Sequence, residues 1–495
     1  MIGAGLAAEA AATLLAARLR GARPVLLIET GSAPQADAFY GTILGPWAKP
    51  VHDAAGVTEE ALLREGAALS WGTRYAYAGE GADPAARRAW VQCHVQPFAA
   101  PGGVELQHVL TRLGLPLQPL LLPAVAGAAG TFAHPSPDPR SPLSRAEYGY
   151  QAEPASLARA FAAAGAASGV RRLRAGIGDV VTREGEIAGL TLSDGTSVEA
   201  DLYVDATGPD ARLLSRLGDA RRSGQTVRLL TSETVTEADA PVRDLTITAG
   251  GWTALTSVRG RSLTMTATRP EDEAAALRRH GTEPVSVIDA ALGQVPVPWI
   301  GNAVAVGHAA LVADPLTPAA LHLLYRDLTR LNELIPLGRE QTVERREYAR
   351  RFADDAEHAG LFVSALSDLA PRGLAPHDPA PHDPAPHDPA SEGGGYWDAA
   401  RDASPKLRTK LGQFESRGVL VQYDLEPFHR EDWLILYEGQ GRRPRRYARL
   451  ADRLDEGGAR RDLGLQARAI ADLAARMPPA ARYTERYLDY LGRET

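Results

Sequence analysis

Cysteine is almost absent from this chain, since Cys93 is the only one among 495 residues. A single thiol can form neither an internal disulfide framework nor a metal site built from several cysteines. Long apolar runs are absent as well: Glu9, Arg18 and Arg20 interrupt the first apolar stretch, and no later run has the length of a membrane-spanning helix. We therefore expect a soluble, cytoplasmic protein without a membrane partner.

A strong charge of either sign is also lacking. The chain carries 54 basic and 61 acidic residues, a net charge of −7, and it has no polybasic block. This balance gives no electrostatic basis for binding nucleic acid or an anionic membrane, and it favours a small-molecule partner. Lysine is scarce too, because Lys49, Lys406 and Lys410 are the only three.

The first residues carry a pattern typical of dinucleotide binding. Gly3, Gly5 and Ala8 match G-x-G-x-x-G/A, in which a pyrophosphate approaches the N-terminus of a helix. The alanine-rich segment to Leu19 predicts that helix, and PVLLIE predicts a buried strand that ends at Glu29. Glu29 lies where such folds place the carboxylate that binds the adenosine ribose.

A strand should precede this turn, yet only Met1 and Ile2 do so. The pattern therefore predicts a nucleotide half-site without its first strand. Two explanations are open: the strand has been lost, or the start codon has been assigned too late.

Two later blocks repeat the order of strand, glycine and helix. Residues 148–208 predict a helix, a hairpin that turns at Asp194-Gly195, and a strand, DLYVDATG, that runs into a glycine turn. The stretch WIGNAVAVGHAALVADPL predicts a further strand followed by a helix to about Pro336. From these blocks the candidate cofactor residues are Ile177, Asp205, Gly208 and Gly307.

A low-complexity insert interrupts the second half of the chain. Three PHDPA copies and three glycines occupy residues 371–395, a composition that cannot bury apolar surface. His377, His382 and His387 could hold a metal weakly, but a solvated linker is the favoured interpretation. The predicted units are a cofactor-binding domain interleaved with a substrate-side β layer over 1–340, a helical connection over 341–370, the insert, and a helical C-terminal region over 396–495.

The C-terminal stretch LRTKLGQFESRGVLVQYDLEPFHREDWLILYEGQGRRPRRYARLAD closely resembles the flavin-dependent tryptophan halogenases. YGYQAEPASLARAF, ADLYVDATG and AVAVGHAALVADPL resemble the same family in the same order, so the resemblance spans nearly the whole chain. It implies an α/β fold with a Rossmann-like FAD-binding part of the glutathione-reductase and monooxygenase type, a β-rich substrate layer and a helical C-terminal region. It also implies FAD, supplied in reduced form by a separate flavin reductase, and a small aromatic or indole-like substrate.

The resemblance implies two catalytic side chains, and this sequence has neither. In the family, hypohalous acid passes through a tunnel to a lysine, beside which a glutamate orients and deprotonates the substrate. In GAALSWGTRY the lysine position is Ser70, and in DPLTPAA the glutamate position is Thr317. Pro318 and Ala320 alter the segment whose amides line the family's chloride site. No catalytic residue of the family is therefore intact, and halogenation by its mechanism should be very slow or absent.

Two further family strips are altered. The flavin-facing G-x-G-E-A-T-I-P strip falls on DAFYGTIL, which keeps Thr42, a candidate cofactor contact, and the following isoleucine. Phe39 and Tyr40 stand where the flavin ring needs room, with Tyr40 in place of the glutamate. The W-x-W-x-I-P strip appears as WTALTS and keeps one tryptophan, Trp252.

Three functional hypotheses follow from these patterns. The first is an FAD-dependent oxidoreductase of this family that acts on an aromatic or indole-like metabolite of secondary metabolism. The second is a non-catalytic homologue that serves as a partner or scaffold protein in biosynthesis. The third is a flavin monooxygenase without halogen transfer. A serine hydrolase and a metal enzyme lack a supporting motif.

Overall fold

The computed structural model describes residues 1–31, 34–78, 89–98, 103–236, 240–336, 338, 341–368, 395–401 and 404–494. The predicted linker at 371–395, including His377, His382 and His387, lies outside the described residues except for Gly395. The division of the chain into units stays a prediction.

Strands and short helices alternate through the first two fifths of the chain. In order they are β1 Ile2–Gly3, α1 Leu6–Leu19, β2 Leu26–Glu29, β3 Ile43–Leu44, α2 Lys49–Ala55, α3 Glu59–Arg64, β4 Ala68–Ser70, β5 Gly72–Tyr77, β6 Ala89–Cys93, α4 Leu106–Leu113, α5 Leu122–Ala129, β7 Gly149–Gln151, α6 Pro154–Ala167, β8 Arg171–Arg174, β9 Ile177–Arg183, β10 Glu186–Leu192, β11 Ser197–Val198 and β12 Tyr203–Ala206.

The rest of the chain begins with strands and ends with helices. The elements are β13 Thr226–Val235, β14 Val242–Thr248, β15 Gly251–Val258, β16 Arg261–Thr268, α7 Glu273–His280, β17 Ser286–Ala291, β18 Gly293–Gln294, β19 Trp299–Ile300, β20 Ala303–Ala305, β21 Leu311–Val312, α8 Ala319–Glu333, α9 Thr342–Ser367, α10 Asp398–Arg401, α11 Pro405–Arg417, α12 Arg430–Gly439, α13 Glu456–Arg476 and α14 Ala480–Glu494. The predicted α/β class and the helical C-terminal region are confirmed.

A six-stranded sheet carries the glycine turns. Its strand order is β19-β20-β12-β1-β2-β8, and the five strands from β20 to β8 run parallel. The prediction that the first strand is missing was wrong, because Ile2 and Gly3 form β1 in the middle of this sheet. Ile2 lies opposite Asp205 on one side and Ile28 on the other, and it is fully buried. The strands on either side of it have four residues each.

A seven-stranded sheet forms the second layer. Its order is β17-β13-β16-β15-β14-β5-β6, antiparallel except for the pair of β14 and β5. The aromatic side chains of Trp90, Trp252 and Tyr75 belong to its buried core. On β6, the Trp90 ring lies so close to Gly439 of α12 that any side chain there would overlap it. Helix α12 is thereby held closely against β6 of this sheet.

Helix α1 is held tightly among other elements. It packs against α6, α2 and α8, and ten of its fourteen residues are buried. Thr13 of α1 donates a hydrogen bond to the Phe161 carbonyl of α6 at 2.8 Å. None of the described helices is long and apolar enough to cross a membrane.

Gly3 sets the distance between β1 and β12. Its φ is 145°, and a Cβ atom there would overlap the Ala206 carbonyl oxygen. We expect Gly3→Ala to lower the free energy of unfolding by more than about 2 kcal/mol, because both the backbone conformation and the space exclude a side chain. Denaturant unfolding followed by circular dichroism measures this change. Gly360→Ala in α9, where the added atom meets nothing within 4 Å, is the control and should stabilise by about 0.5 to 1 kcal/mol. Equal effects of the two substitutions would contradict the prediction.

Candidate functional site

Three glycine turns meet at the carboxyl edge of the parallel sheet. Gly5, Gly208 and Gly307 follow β1, β12 and β20, with φ values of 81°, 80° and 57°. Neighbouring parallel strands end at one edge, so these turns are adjacent, as a dinucleotide site requires. Ala8 is fully buried one turn into α1. We call the three turns, with Glu29 at the end of β2, the cofactor cradle.

The segment Pro34–Tyr40 lies directly over the cofactor cradle, and we refer to it as the 34–40 segment. A Cβ atom added to Gly5 or to Gly208 would contact the ring of Pro34 at 3.1 or 3.3 Å. An atom added to Gly307 would overlap the Tyr40 hydroxyl. One short stretch of chain therefore touches all three glycine turns.

Asp37 occupies the N-terminus of α1. Its Oδ2 accepts a hydrogen bond from the Leu6 amide at 2.9 Å, and it would overlap any side chain at Gly5. A helix N-terminus favours an anion because its first amides lack intrahelical partners. Burial works against the carboxylate and raises the pKa of Asp37 to about 7, although the Leu6 hydrogen bond lowers it in part. The chain's own carboxylate thus stands where the sequence pattern places a phosphate.

Tyr40 fills the third turn. Its hydroxyl accepts a hydrogen bond from the His308 amide at 3.0 Å, and its ring stacks on the His308 imidazole with centroids 3.7 Å apart. Burial lowers the pKa of His308 to about 3, so the imidazole is neutral. The Arg222 guanidinium donates to the carbonyls of His308, Ala309 and Pro209 beside this stack.

Glu29 is committed to arginines of the neighbouring strand. Its carboxylate accepts hydrogen bonds from Arg172 and from Arg174, each at 2.9 Å, and Arg172 also pairs with Glu9 of α1. Partial burial raises the pKa of Glu29, but the two arginines outweigh burial and hold it below its usual value. A ribose hydroxyl would have to compete with these ion pairs for the carboxylate.

The remaining predicted cofactor residues lie at different depths. Asp205 is fully buried, and its carboxylate accepts hydrogen bonds from the amides of Thr207, Leu213 and Leu214, so it organises its own loop. Ile177 begins β9 and packs against the apolar cluster that contains Ile2. The Thr42 hydroxyl lies 2.9 Å from that of Thr256 on β15, which joins the two altered strips named above.

The hydroxyls of Ser70 and Thr317 are both buried and bonded to backbone. Ser70 Oγ lies 3.4 Å from the carbonyls of Gly72 and Pro241, and Thr317 Oγ1 accepts from the Ala319 amide at 3.2 Å. Among the described contacts the two hydroxyls do not touch each other. Neither offers an amine or a carboxylate.

The buried cation of this region is Arg243, on β14. It donates to the carbonyls of Pro315 at 3.1 Å and Leu316 at 2.6 Å, immediately before Thr317. Asp314 lies nearby and accepts from the indole of Trp252 at 2.9 Å and from the hydroxyl of Tyr396 at 2.6 Å. Burial raises the pKa of Asp314 and lowers that of Arg243. These two groups form a closed polar cluster beneath the 314–317 turn.

Comparison with known proteins decides the family. The family described as Tryptophan halogenase matches residues 1–372 and 389–456. The chain belongs to the tryptophan halogenase family. No protein with a curated description matches it.

Solved structures of flavin-dependent halogenases share the whole fold. BrvH from Brevundimonas sp. BAL3 superposes with a TM-score of 0.84 over 97% of this chain and 98% of its own, at 23% identity. Xcc4156 from Xanthomonas campestris gives 0.81 over 98% and 97%, at 21% identity. The tryptophan 6-halogenase SttH from Streptomyces toxytricini gives 0.79 over 97% and 98%, at 17% identity.

Membership in the tryptophan halogenase family implies FAD, yet the cradle does not fit this cofactor as it stands. The α1 N-terminus, the Gly307 turn and Glu29 are already bonded to Asp37, Tyr40 and two arginines. Two cavities on the described surface, of about 510 and 380 Å³, are lined by residues outside the cradle. Within the described residues no group of three or more histidine, cysteine, aspartate or glutamate side chains could hold a metal.

Sequence reasoning anticipated crowding by Phe39 and Tyr40 but missed Asp37, Arg222 and Arg243. The sequence resemblance aligns Asp37 with the first glycine of the family's G-x-G strip, and this difference was the available signal. No such signal marked Arg222 or Arg243, because a lone arginine in a strand or loop is usually solvated.

Asp37 makes stability depend on pH. In the unfolded chain its carboxyl ionises near pH 3.8, whereas in the folded protein it ionises near pH 7, so the wild type loses stability as pH rises from about 4 to 7. Asp37→Asn keeps an acceptor for the Leu6 amide and removes this loss. The difference in free energy of unfolding between Asp37→Asn and the wild type should therefore increase, in favour of the variant, by about 1 to 3 kcal/mol from pH 5 to pH 8.

Urea titrations at the two pH values measure this difference. Asp53→Asn, which removes an exposed carboxylate paired with Lys49, controls for the substitution itself. A difference between Asp37→Asn and wild type that is the same at both pH values would refute the assignment.

Arg243 is predicted to be a structural cation. Arg243→Ala should lower the free energy of unfolding by about 3 to 5 kcal/mol, because it leaves two buried carbonyls without this donor and removes the cation nearest Asp314. Arg74→Ala on the adjacent strand removes a half-exposed partner of Asp244 and should change it by no more than about 1 kcal/mol. Thermal and denaturant unfolding of both variants test the contrast, and equal losses would show that Arg243 is not buried as described.

Proposed function

We propose that this chain is a non-catalytic member of the tryptophan halogenase family, which serves as a partner or scaffold protein in the biosynthesis of an aromatic secondary metabolite in the cytoplasm. The observation that carries the proposal is the chemistry at Ser70 and Thr317. Their two neutral hydroxyls are both bonded to backbone, and the sequence resemblance aligns these residues with the family's lysine and glutamate.

A neutral hydroxyl cannot do the work of either group. The lysine holds an electrophilic halogen through an amine, and a serine has no amine to offer. Loss of a positioned acid or base alone lowers a rate by roughly 10²- to 10⁴-fold. Arg243 does not replace the lysine, because its guanidinium donates to the carbonyls of Pro315 and Leu316.

Retention of the scaffold supports a role that depends on shape. The superposition with flavin-dependent halogenases covers nearly the whole of both chains, although identity is only 23% or lower for the structures compared above. The close contact of Gly439 with Trp90 holds α12 against the second sheet. A protein partner of a biosynthetic complex could bind a protein of this fold without any use of the reaction centre.

A second candidate is a flavin oxidoreductase that adds oxygen to an aromatic substrate without transferring halogen. The turn of Gly3 and Gly5 between β1 and α1 favours it, because both glycines of the dinucleotide-binding pattern are kept there with positive φ. This function would require FAD, a flavin reductase and a small aromatic substrate. It would also require the 34–40 segment to leave the cofactor cradle.

An assay of halogen transfer to aromatic substrates separates these candidates. Wild-type protein is supplied with FAD, NADH, a flavin reductase, oxygen and chloride or bromide, together with a panel of indoles. We expect no halogenated indole, with a rate at least about 10²-fold below that of a flavin-dependent halogenase run in parallel. A halogenated indole formed at a comparable rate would overturn the proposal. An oxygenated aromatic product, detected with an indole panel and without halogen, would favour the second candidate.

A further inference from the structure

We infer that the 34–40 segment is a built-in replacement for the cofactor: side chains of the chain itself satisfy the groups that FAD would bind, and the folded protein is complete without flavin. This inference deepens the proposed function, but it rests on the cofactor cradle and not on Ser70 and Thr317. It begins from the three places where a dinucleotide would make contact.

The first place is the N-terminus of α1. Helix α1 has fourteen residues, and the amide of Leu6 in its first turn is bonded to the Asp37 carboxylate at 2.9 Å. Gly5 leaves space for close approach, but that space holds the Asp37 carboxylate and the Pro34 ring. A pyrophosphate would have to displace both side chains, and its charge would be repelled by Asp37 where this residue is ionised.

The second place is the turn after β20. The Tyr40 hydroxyl takes the His308 amide and also the space that Gly307 leaves open. The Tyr40 ring and the His308 ring stack nearly parallel, 13° apart, and both are fully buried. FAD cannot enter this turn while the Tyr40 and His308 rings are in contact.

The third place is Glu29. Arg172 links its carboxylate to Glu9 of α1, so the ribose-binding group is part of an ion-pair chain between β2, β8 and α1. This contact is partly exposed and is the weakest of the three. As at the other two places, however, the group that FAD would bind already has a partner within the chain.

Covalent linkage gives the internal ligand an advantage. The 34–40 segment is tethered to β2 only a few residues away, so it competes with free FAD at the high effective concentration of an intramolecular group. Only molecules in which the segment is displaced could bind FAD. The apparent dissociation constant of FAD would therefore rise as the fraction of such molecules falls. The substitutions coincide with the contacts: Asp37, Phe39 and Tyr40 stand at the two glycines and the glutamate of the family strip, and two of the three make the bonds described above.

Flavin titration of two proteins tests the inference. One is the wild type, and the other is the triple variant Asp37→Gly, Phe39→Gly, Tyr40→Glu, which restores the family strip. Flavin fluorescence and the melting temperature are followed as oxidised FAD is raised to millimolar concentration. We expect no saturable binding and no rise in melting temperature for the wild type. The triple variant should bind at least about 10-fold more tightly, and Asp53→Gly on the exposed face of α2 should behave as wild type.

A measurement on the wild type alone keeps the test decisive if the triple variant does not fold. Hydrogen–deuterium exchange of peptides covering 3–12 and 34–44 should be slow without FAD and unchanged when FAD is added, because the contacts are already made. Micromolar binding of FAD by wild type with a rise in melting temperature, or rapid exchange across 34–44, would overturn the inference. Either result would leave the proposed function standing, since that depends on the missing amine and carboxylate and has its own assay.

Discussion

The carboxyl edge of a parallel sheet presents backbone amides that no strand or helix can satisfy. In this protein the edge consists of three glycine turns and the N-terminus of α1, and its amides must bond to a ligand or to another part of the chain. Asp37 and Tyr40 supply that bonding from a single segment. The segment's path from β2 across the edge to β3 follows from this requirement, and so does the absence of side chains at Gly5 and Gly307.

The proposed function and the inferred replacement of the cofactor concern two separate places in one scaffold. In the cofactor cradle, internal side chains take the place of a bound group. At Ser70 and Thr317, the family resemblance implies that hydroxyls take the place of an amine and a carboxylate. The two places are connected through Thr42 and Thr256, whose hydroxyls join the strip beside the cradle to the strip on β15. In the same region, Arg243 and Asp314 find their hydrogen-bond partners within the chain, in the carbonyls of Pro315 and Leu316 and in the side chains of Trp252 and Tyr396.

The sequence allowed the fold to be predicted because its signals were local or came from a resemblance along the whole chain. Glycine turns after apolar strands identified the parallel sheet, and the C-terminal stretch identified the family. The missing first strand was wrongly predicted, because a strand of two residues leaves no periodic pattern, and only the pairing with β12 and β2 identifies it. Asp37 was visible as a substitution, but its bond to Leu6 joins residues 31 positions apart, and no local rule gives such a contact. Arg243 was missed because its partners come from a turn more than 70 positions away.

Asp37 shows how little is needed to close a dinucleotide site. A helix N-terminus stabilises an anion, while burial disfavours one, and the raised pKa of Asp37 shows that burial is the larger effect here. The carboxyl can therefore accept the Leu6 hydrogen bond with only part of a negative charge near neutral pH, whereas a pyrophosphate would bring its full charge into the same place. The short Asp37 side chain bonds to the Leu6 amide at a lower electrostatic cost than a pyrophosphate would. This requires neighbouring rings to fill the rest of the space that the cofactor would take. The Tyr40 and His308 stack fills it, and this explains why the two substitutions occur in one segment.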